Sequence, residues 1–144
     1  MDKIERFRGD YYFLSNFFEA PVEYGGLSYR SSEAAYQAQK CADPDDRIRF
    51  TAMSSAESKE ASLSIDIRDD WEDVRVDVMT EIVRCKFTQN PELADLLILT
   101  GDAYLEEGNT WGDTFWGVSE GTGENNLGKI LMTVRSELIA KRIY

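Results

Sequence analysis

The stretch Trp71-Glu72-Asp73-Val74-Arg75-Val76-Asp77-Val78-Met79-Thr80-Glu81-Ile82-Val83-Arg84-Cys85 decides the class of fold. Trp71, Val74, Val78, Ile82 and Cys85 recur at steps of three or four, which puts them on one stripe of an α-helix. A stripe of that kind has to be buried against further elements. Downstream, Asn90-Pro91 starts another helix and Gly101 ends it, with Leu93, Leu96, Leu97 and Leu99 assigned to the core. Leu127, Leu131, Val134 and Leu138 form the apolar face of a last helix, with Lys141 and Arg142 near its negative end. Upstream, Ser54-x-x-Glu57 has capping-box spacing, Pro44 fits the first turn of a helix, and Ser31 and Ser32 can cap a helix over Glu33–Cys41. Val22-Glu23-Tyr24 and Leu27-Ser28-Tyr29 flank Gly25-Gly26, the signal of a tight hairpin. The expected architecture is mainly α: one domain over residues 1–144, made of packed helices with a small N-terminal β-element.

Composition narrows the chemistry. The chain has 144 residues, 42% hydrophobic and 30% charged, with three prolines, which fits one soluble globular core and excludes disordered and collagen-like classes. It has no histidine, so Ser-His-Asp and Cys-His nucleophiles, His-containing zinc sites and imidazole acid/base chemistry are all excluded. Chemistry is left to carboxylates, amines, hydroxyls and water. Cys41 and Cys85 lack Cys-x-x-Cys spacing and suggest neither a metal site nor a disulfide framework. Sixteen Lys+Arg against 27 Asp+Glu leave a net charge of −11, which argues against gripping long duplexes but allows a compact anion in a locally basic pocket. The charged first residues and the lack of any apolar run of about 18 predict no signal peptide and no membrane span, hence a cytoplasmic protein.

Three stretches are not explained by core packing. In Phe13-Leu14-Ser15-Asn16-Phe17-Phe18, Ser15 and Asn16 sit among rings. They could fix the edge of a flat ligand, or Asn16 could close a turn on its own backbone. In Ser32-Glu33-Ala34-Ala35-Tyr36-Gln37-Ala38-Gln39-Lys40, helical spacing sets Glu33, Tyr36 or Gln37, and Lys40 on one face. That face either looks into a cleft or is solvated. The third, Glu107 to Gly128, carries Trp111, Asp113 and Trp116 among glycines and opens onto a helix whose free N–H groups could hold a phosphate.

These residues resemble the NADAR domains, also called YbiA-like proteins. The motifs are Phe7-Arg8-Gly9, Phe13-Leu14-Ser15-Asn16-Phe17, Ser32-Glu33 with Tyr36-Gln37 and Lys40, Trp71 with Met79 and Lys86-Phe87, Thr100-Gly101-Asp102, Glu107-Gly108-Asn109, Trp111-Gly112-Asp113, Trp116-Gly117 and Asn126-Leu127-Gly128-Lys129-Ile130-Leu131-Met132. They span almost the whole chain in one order. The resemblance implies a mainly helical enzyme that hydrolyses N-glycosidic bonds without metal or cofactor. Its substrate would be either a phosphoribosylamino intermediate of riboflavin synthesis or ADP-ribose attached to guanine; the negative net charge favours a nucleotide-sized or single-stranded form over extended duplex contact. It implies Glu33 as catalytic glutamate, with Lys40, Asp113 and Trp116 lining the same site. Two departures stand out: Ala34 where the family usually has His, and Glu57-Ser58-Lys59-Glu60-Ala61 in place of a lysine- and glycine-containing run.

Cleaving such a bond builds positive charge on the sugar carbon and negative charge on the leaving nitrogen. Glu33 is expected to supply the anion and orient water, and Asp113 to be a second acid. Lys40 would either donate to the leaving group or attack an opened sugar to form an imine. Phe13, Trp111 and Trp116 are expected to stack on the base, and Asn16 and Asn126 to bind polar edges. Arg8, Lys59 and Lys86 would meet phosphate. Gly9, Ser15, Tyr36 and Gly117 complete the expected binding set, whereas Trp71, Phe87, Leu131 and Met132 are assigned to the core. The competing reading is a non-catalytic ADP-ribose or nucleotide-binding module. A purely structural interaction domain would leave the Asn and Trp-Gly loops without a purpose.

Overall fold

The computed structural model describes residues 2–143. In chain order it contains β1 (Lys3–Ile4), a 3-10 helix (Gly9–Leu14), β2 (Glu19–Tyr24), β3 (Leu27–Ser31), α1 (Ser32–Gln39) and a 3-10 helix (Pro44–Ala52). Next come α2 (Ser55–Ala61), a 3-10 turn (Ser62–Ser64), α3 (Trp71–Gln89), α4 (Pro91–Leu99), β4 (Tyr104–Leu105), β5 (Gly108–Asn109), β6 (Val118–Ser119) and α5 (Asn126–Ile143). The chain is mainly helical with short strands, as expected. No helix among the described residues is long and apolar enough to cross a membrane. Contacts gather into two compact units, residues 16–90 and residues 1–15 with 91–144.

In the 16–90 unit, β2 and β3 form the expected antiparallel hairpin, with Tyr24 opposite Leu27 and Val22 opposite Tyr29. Gly25 and Gly26 both take positive φ, 61° and 83°, which the tight turn requires. The side chain of Gln89, at the end of α3, continues the ladder: Glu23 N–H donates to its Oε1 at 2.7 Å, and its Nε2 donates to the Glu23 carbonyl at 2.8 Å. Ser54 and Glu57 make the predicted capping box for α2. The segment after Pro44 is a 3-10 helix whose N-cap, Asp43, accepts from Asp45 N–H at 2.9 Å.

Two core assignments shift. On α3 the buried side chains are Trp71, Met79, Ile82, Val83, Lys86 and Phe87, while Val74, Val78 and Cys85 are only half-buried. The helix packs on both β2 and α1, so its inward face is broader than one stripe and rotated toward Met79 and Val83. The second shift lies in the other unit. Leu93 and Leu97 of α4 are buried against α5, but Leu96 and Leu99 are exposed, at 42% and 79%. An all-round apolar helix buries only the face that finds a partner.

The unit of residues 1–15 and 91–144 joins β1 to β4 in parallel, Lys3 beside Tyr104 and Ile4 beside Leu105. α5 packs on α4 and β4, and Leu127, Leu131, Val134 and Leu138 are buried as expected. Gly101, at φ 65°, ends α4 by donating its N–H to the Ile98 carbonyl at 2.9 Å.

Candidate active site

The first turn of α1 grows directly from the end of β3. Ser31 is both the last strand residue and the N-cap; its Oγ accepts from Ala34 N–H at 3.1 Å and from Ser55 Oγ at 2.8 Å. Ser32 does not cap. Its hydroxyl donates to Asn16 Oδ1 at 2.9 Å, while Asn16 Nδ2 donates to Met79 Sδ at 3.3 Å. Both polar ends of Asn16 are thereby engaged, neither on its own backbone nor toward an open surface, and they tie α1 to α3. Glu33 N–H donates to the Asn16 carbonyl at 3.0 Å, which fixes where the glutamate enters the helix.

Every side chain of α1 is buried, including Glu33, Tyr36 and Gln37. The solvated-face alternative is therefore overturned, because α2, α3, the hairpin and the 3-10 helix after Pro44 all pack on this one short helix. Gln37 Nε2 donates to Glu33 Oε2, and the Gln37 Oε1 is a buried atom with no hydrogen-bond partner. One turn later Lys40 is half-buried, its Nζ 5.5 Å from the centre of the Tyr36 ring. That ring packs tilted against Trp71, centroids 5.2 Å apart. Trp71 is buried as assigned, but it backs the aromatic wall of this cluster.

Burial pushes the Lys40 amine below its ordinary value; the Glu33 carboxylate opposes this, and Lys59 and Arg75 reinforce it. An acid, an amine and two further cations thus lie within electrostatic reach of one another in an otherwise acidic chain. Arg75 was not among the predicted residues. Its only signal in the sequence is that it follows Trp71 by one helical turn. Ala34, standing where the family pattern has His, is fully enclosed.

Lys86 is a correction. Expected to meet phosphate, it is only 1% exposed, with its Nζ 5.2 Å from the Phe87 ring centre and 5.8 Å from that of Phe18. Burial alone pushes its amine down to about 7. It belongs to the broad inward face of α3, which periodicity did not separate from the exposed one.

In the other unit, Asp113 shapes the tryptophan loop. Its Oδ1 accepts the N–H groups of Phe115 and Trp116 at 3.2 and 2.9 Å, and Asn109 holds its backbone from both sides, Nδ2 to the Asp113 carbonyl at 2.9 Å and Oδ1 from its N–H at 3.1 Å. Trp116 is half-buried, edge-on to Phe115, whereas Trp111 is exposed. Gly117 is buried so tightly that a Cβ there would lie 1.8 Å from Glu107 Oε2. The expected phosphate cradle at the start of α5 is not open: the N–H groups of Asn126 and Leu127 donate to the carbonyls of Phe115 and Trp116, and Asn126 Nδ2 donates to the Phe115 carbonyl as well. These first helical donors are consumed in closing the loop.

The remaining predicted residues of this unit lie near the N-terminus. Arg8 and Gly9 are exposed, Ser15 is half-buried, and Phe13 is buried beside a cleft of about 240 Å³ lined also by Asp10, Tyr11, Leu96, Leu99 and Thr100. The two leucines that left the core, Leu96 and Leu99, line this cleft.

Comparison with known proteins places the chain. The model of the NADAR domain matches residues 5–139, spanning both units. The chain belongs to the NADAR family. A riboflavin biosynthesis protein of Vibrio vulnificus is 43% identical over 132 residues, covering 88% of this chain but only 35% of that protein. The N-glycosidase YbiA of Escherichia coli is 36% identical over 137 residues, covering 92% of this chain and 85% of the relative. The solution structure of Escherichia coli YbiA superposes with a TM-score of 0.86 at 33% identity, covering 99% of this chain and 88% of that one. The mainly helical NADAR fold expected from the motifs is the one observed.

Proposed function

We propose that this chain is a hydrolase of N-glycosyl bonds, with Glu33 as general base and Lys40 as proton donor. The observation that carries the reading is a buried carboxylate, bonded by Gln37, within electrostatic reach of a half-buried amine whose proton is held loosely. Glu33 takes a proton from water as its oxygen bonds the sugar C1. The C1–N bond breaks with its electron pair on nitrogen, and Lys40 supplies the proton that nitrogen gains. A proton held loosely is transferred more readily at neutral pH. The same site counts against a non-catalytic binding module, because binding alone requires neither the acid nor the perturbed amine.

The substrate is a phosphate-bearing ribosyl compound, for which Lys59 and Arg75 supply positive charge. A phosphoribosylamino pyrimidine is the first choice, given what the relatives are named for. ADP-ribosyl guanine is the second. Tyr36 forms the wall beside Lys40. The protein works in the cytoplasm and needs no cofactor.

A second reading of Lys40 rests on the same lowered amine, which also favours nucleophilic attack on an opened sugar to give an imine. Offering ADP-ribosylguanosine, its DNA-linked form and the phosphoribosylamino pyrimidine in parallel tests the substrate. Glu33→Gln is expected to lower turnover by at least about a hundredfold with the fold intact; near-normal turnover removes Glu33 from the mechanism. Lys40→Arg keeps the charge but cannot form an imine, and borohydride gives a covalent adduct with the unmodified chain only on the imine route.

A further inference from the structure

We infer that Gln37 is the positioning residue of this site: its amide N–H holds Glu33, and its unpartnered amide oxygen takes the second hydrogen of the attacking water. The inference rests on the reading of Glu33 as base. Gln37 and Glu33 are one turn apart on α1 and both buried, and Gln37 Nε2 already donates to Glu33 Oε2. That bond fixes the amide's orientation, since the reverse would set its oxygen against a carboxylate oxygen. Gln37 Oε1 is then a buried acceptor without a donor, an arrangement that disfavours the fold and calls for a functional explanation.

Attacking water has two hydrogens. Glu33 accepts one as the water oxygen bonds C1 and the C1–N electron pair leaves with nitrogen. The other hydrogen needs a second acceptor to aim the oxygen lone pair, and Gln37 Oε1 is the orphan acceptor of this helix. Neither Lys40 nor the guanidinium of Arg75 can serve, because as cations both are donors only. Methanol carries a single hydroxyl hydrogen, which Glu33 must take, so it leaves the Gln37 oxygen unanswered. The site should therefore prefer water to methanol beyond their mole ratio.

The test uses whichever of the phosphoribosylamino pyrimidine and ADP-ribosylguanosine the full chain turns over faster, in aqueous methanol, with free sugar and its methyl glycoside measured separately. The unmodified chain is expected to form free sugar in excess of the water-to-methanol ratio; a product ratio equal to the mole ratio overturns the inference without any variant. Gln37→Met, close to isosteric but apolar, is expected to lower kcat by roughly tenfold or more, leave KM within about twofold, and raise the methyl glycoside share severalfold. Gln37→Glu keeps an accepting oxygen and is expected to slow turnover while restoring the preference for water. A Gln37→Met product ratio unchanged from that of the unmodified chain overturns the inference even if kcat falls. Should Glu33→Gln be inactive while that ratio stays put, only the Gln37 assignment is lost; if Glu33→Gln stays active, the reading beneath it is lost as well.

Discussion

Lys86→Met should stabilise the protein, and the gain should disappear as pH rises. The Lys86 ammonium is fully enclosed, and burial brings its pKa from the ordinary 10.5 to about 7. Between those values the unfolded chain binds more protons than the folded one, so the folded state gains stability as pH climbs through the window. At 1.36 kcal/mol per pH unit, the gap sets a ceiling of about 5 kcal/mol on the cost of this lysine at and below about pH 7. The Phe18 and Phe87 rings return part of it, on the order of 0.5–2 kcal/mol for an ammonium near aromatic faces. The contacts of the ammonium keep the gain below that ceiling, and a net gain for Lys86→Met near pH 7 is expected, since methionine fills similar space without a charge. Urea denaturation of both proteins from pH 6 to 10.5 isolates the effect, because all other titrating groups cancel in the difference. A difference that stays flat with pH, or a variant less stable than the parent at pH 7, refutes the argument. Turnover of the same samples shows whether this buried amine contributes to the reaction despite its enclosure.

Gly117→Ala forces a methyl group to within 1.8 Å of Glu107 Oε2 and 2.1 Å of the Glu107 carbonyl, and should cost about 1–3 kcal/mol or more, read as a fall in Tm. Asp113→Ala removes the acceptor of two loop N–H groups and should cost about 1–3 kcal/mol, with faster amide exchange at Phe115 and Trp116; exchange unchanged at both would show that the carboxylate does not hold the loop.

The ends of elements were readable because they are local chemistry. Ser54 and Glu57 cap one helix within a single turn, Gly25-Gly26 turns the hairpin and Gly101 stops α4, each through backbone groups a few residues away. The spacing that sets Glu33, Gln37 and Lys40 on one face is likewise fixed by the helical repeat. Which way a face points is not local. Periodicity assigned Leu96 and Leu99 to the core, and α4 found a partner on only one side. The same limit left open whether Glu33 lay in solvent, and only the packing of α2, α3 and the hairpin around α1 decided that it is buried.

The sequence by itself determined the helical class, the hairpin, the family and the shared helical face of Glu33 and Lys40, because periodicity, capping and motif order are written in neighbouring residues. The tertiary structure alone decided that Lys86 is enclosed rather than phosphate-facing, that Asn16 and Asp113 are occupied in holding backbone and side chains, and that Arg75 joins the cations around Lys40. Burial and electrostatic reach depend on residues far away along the chain, and no pattern within a single helix can express them.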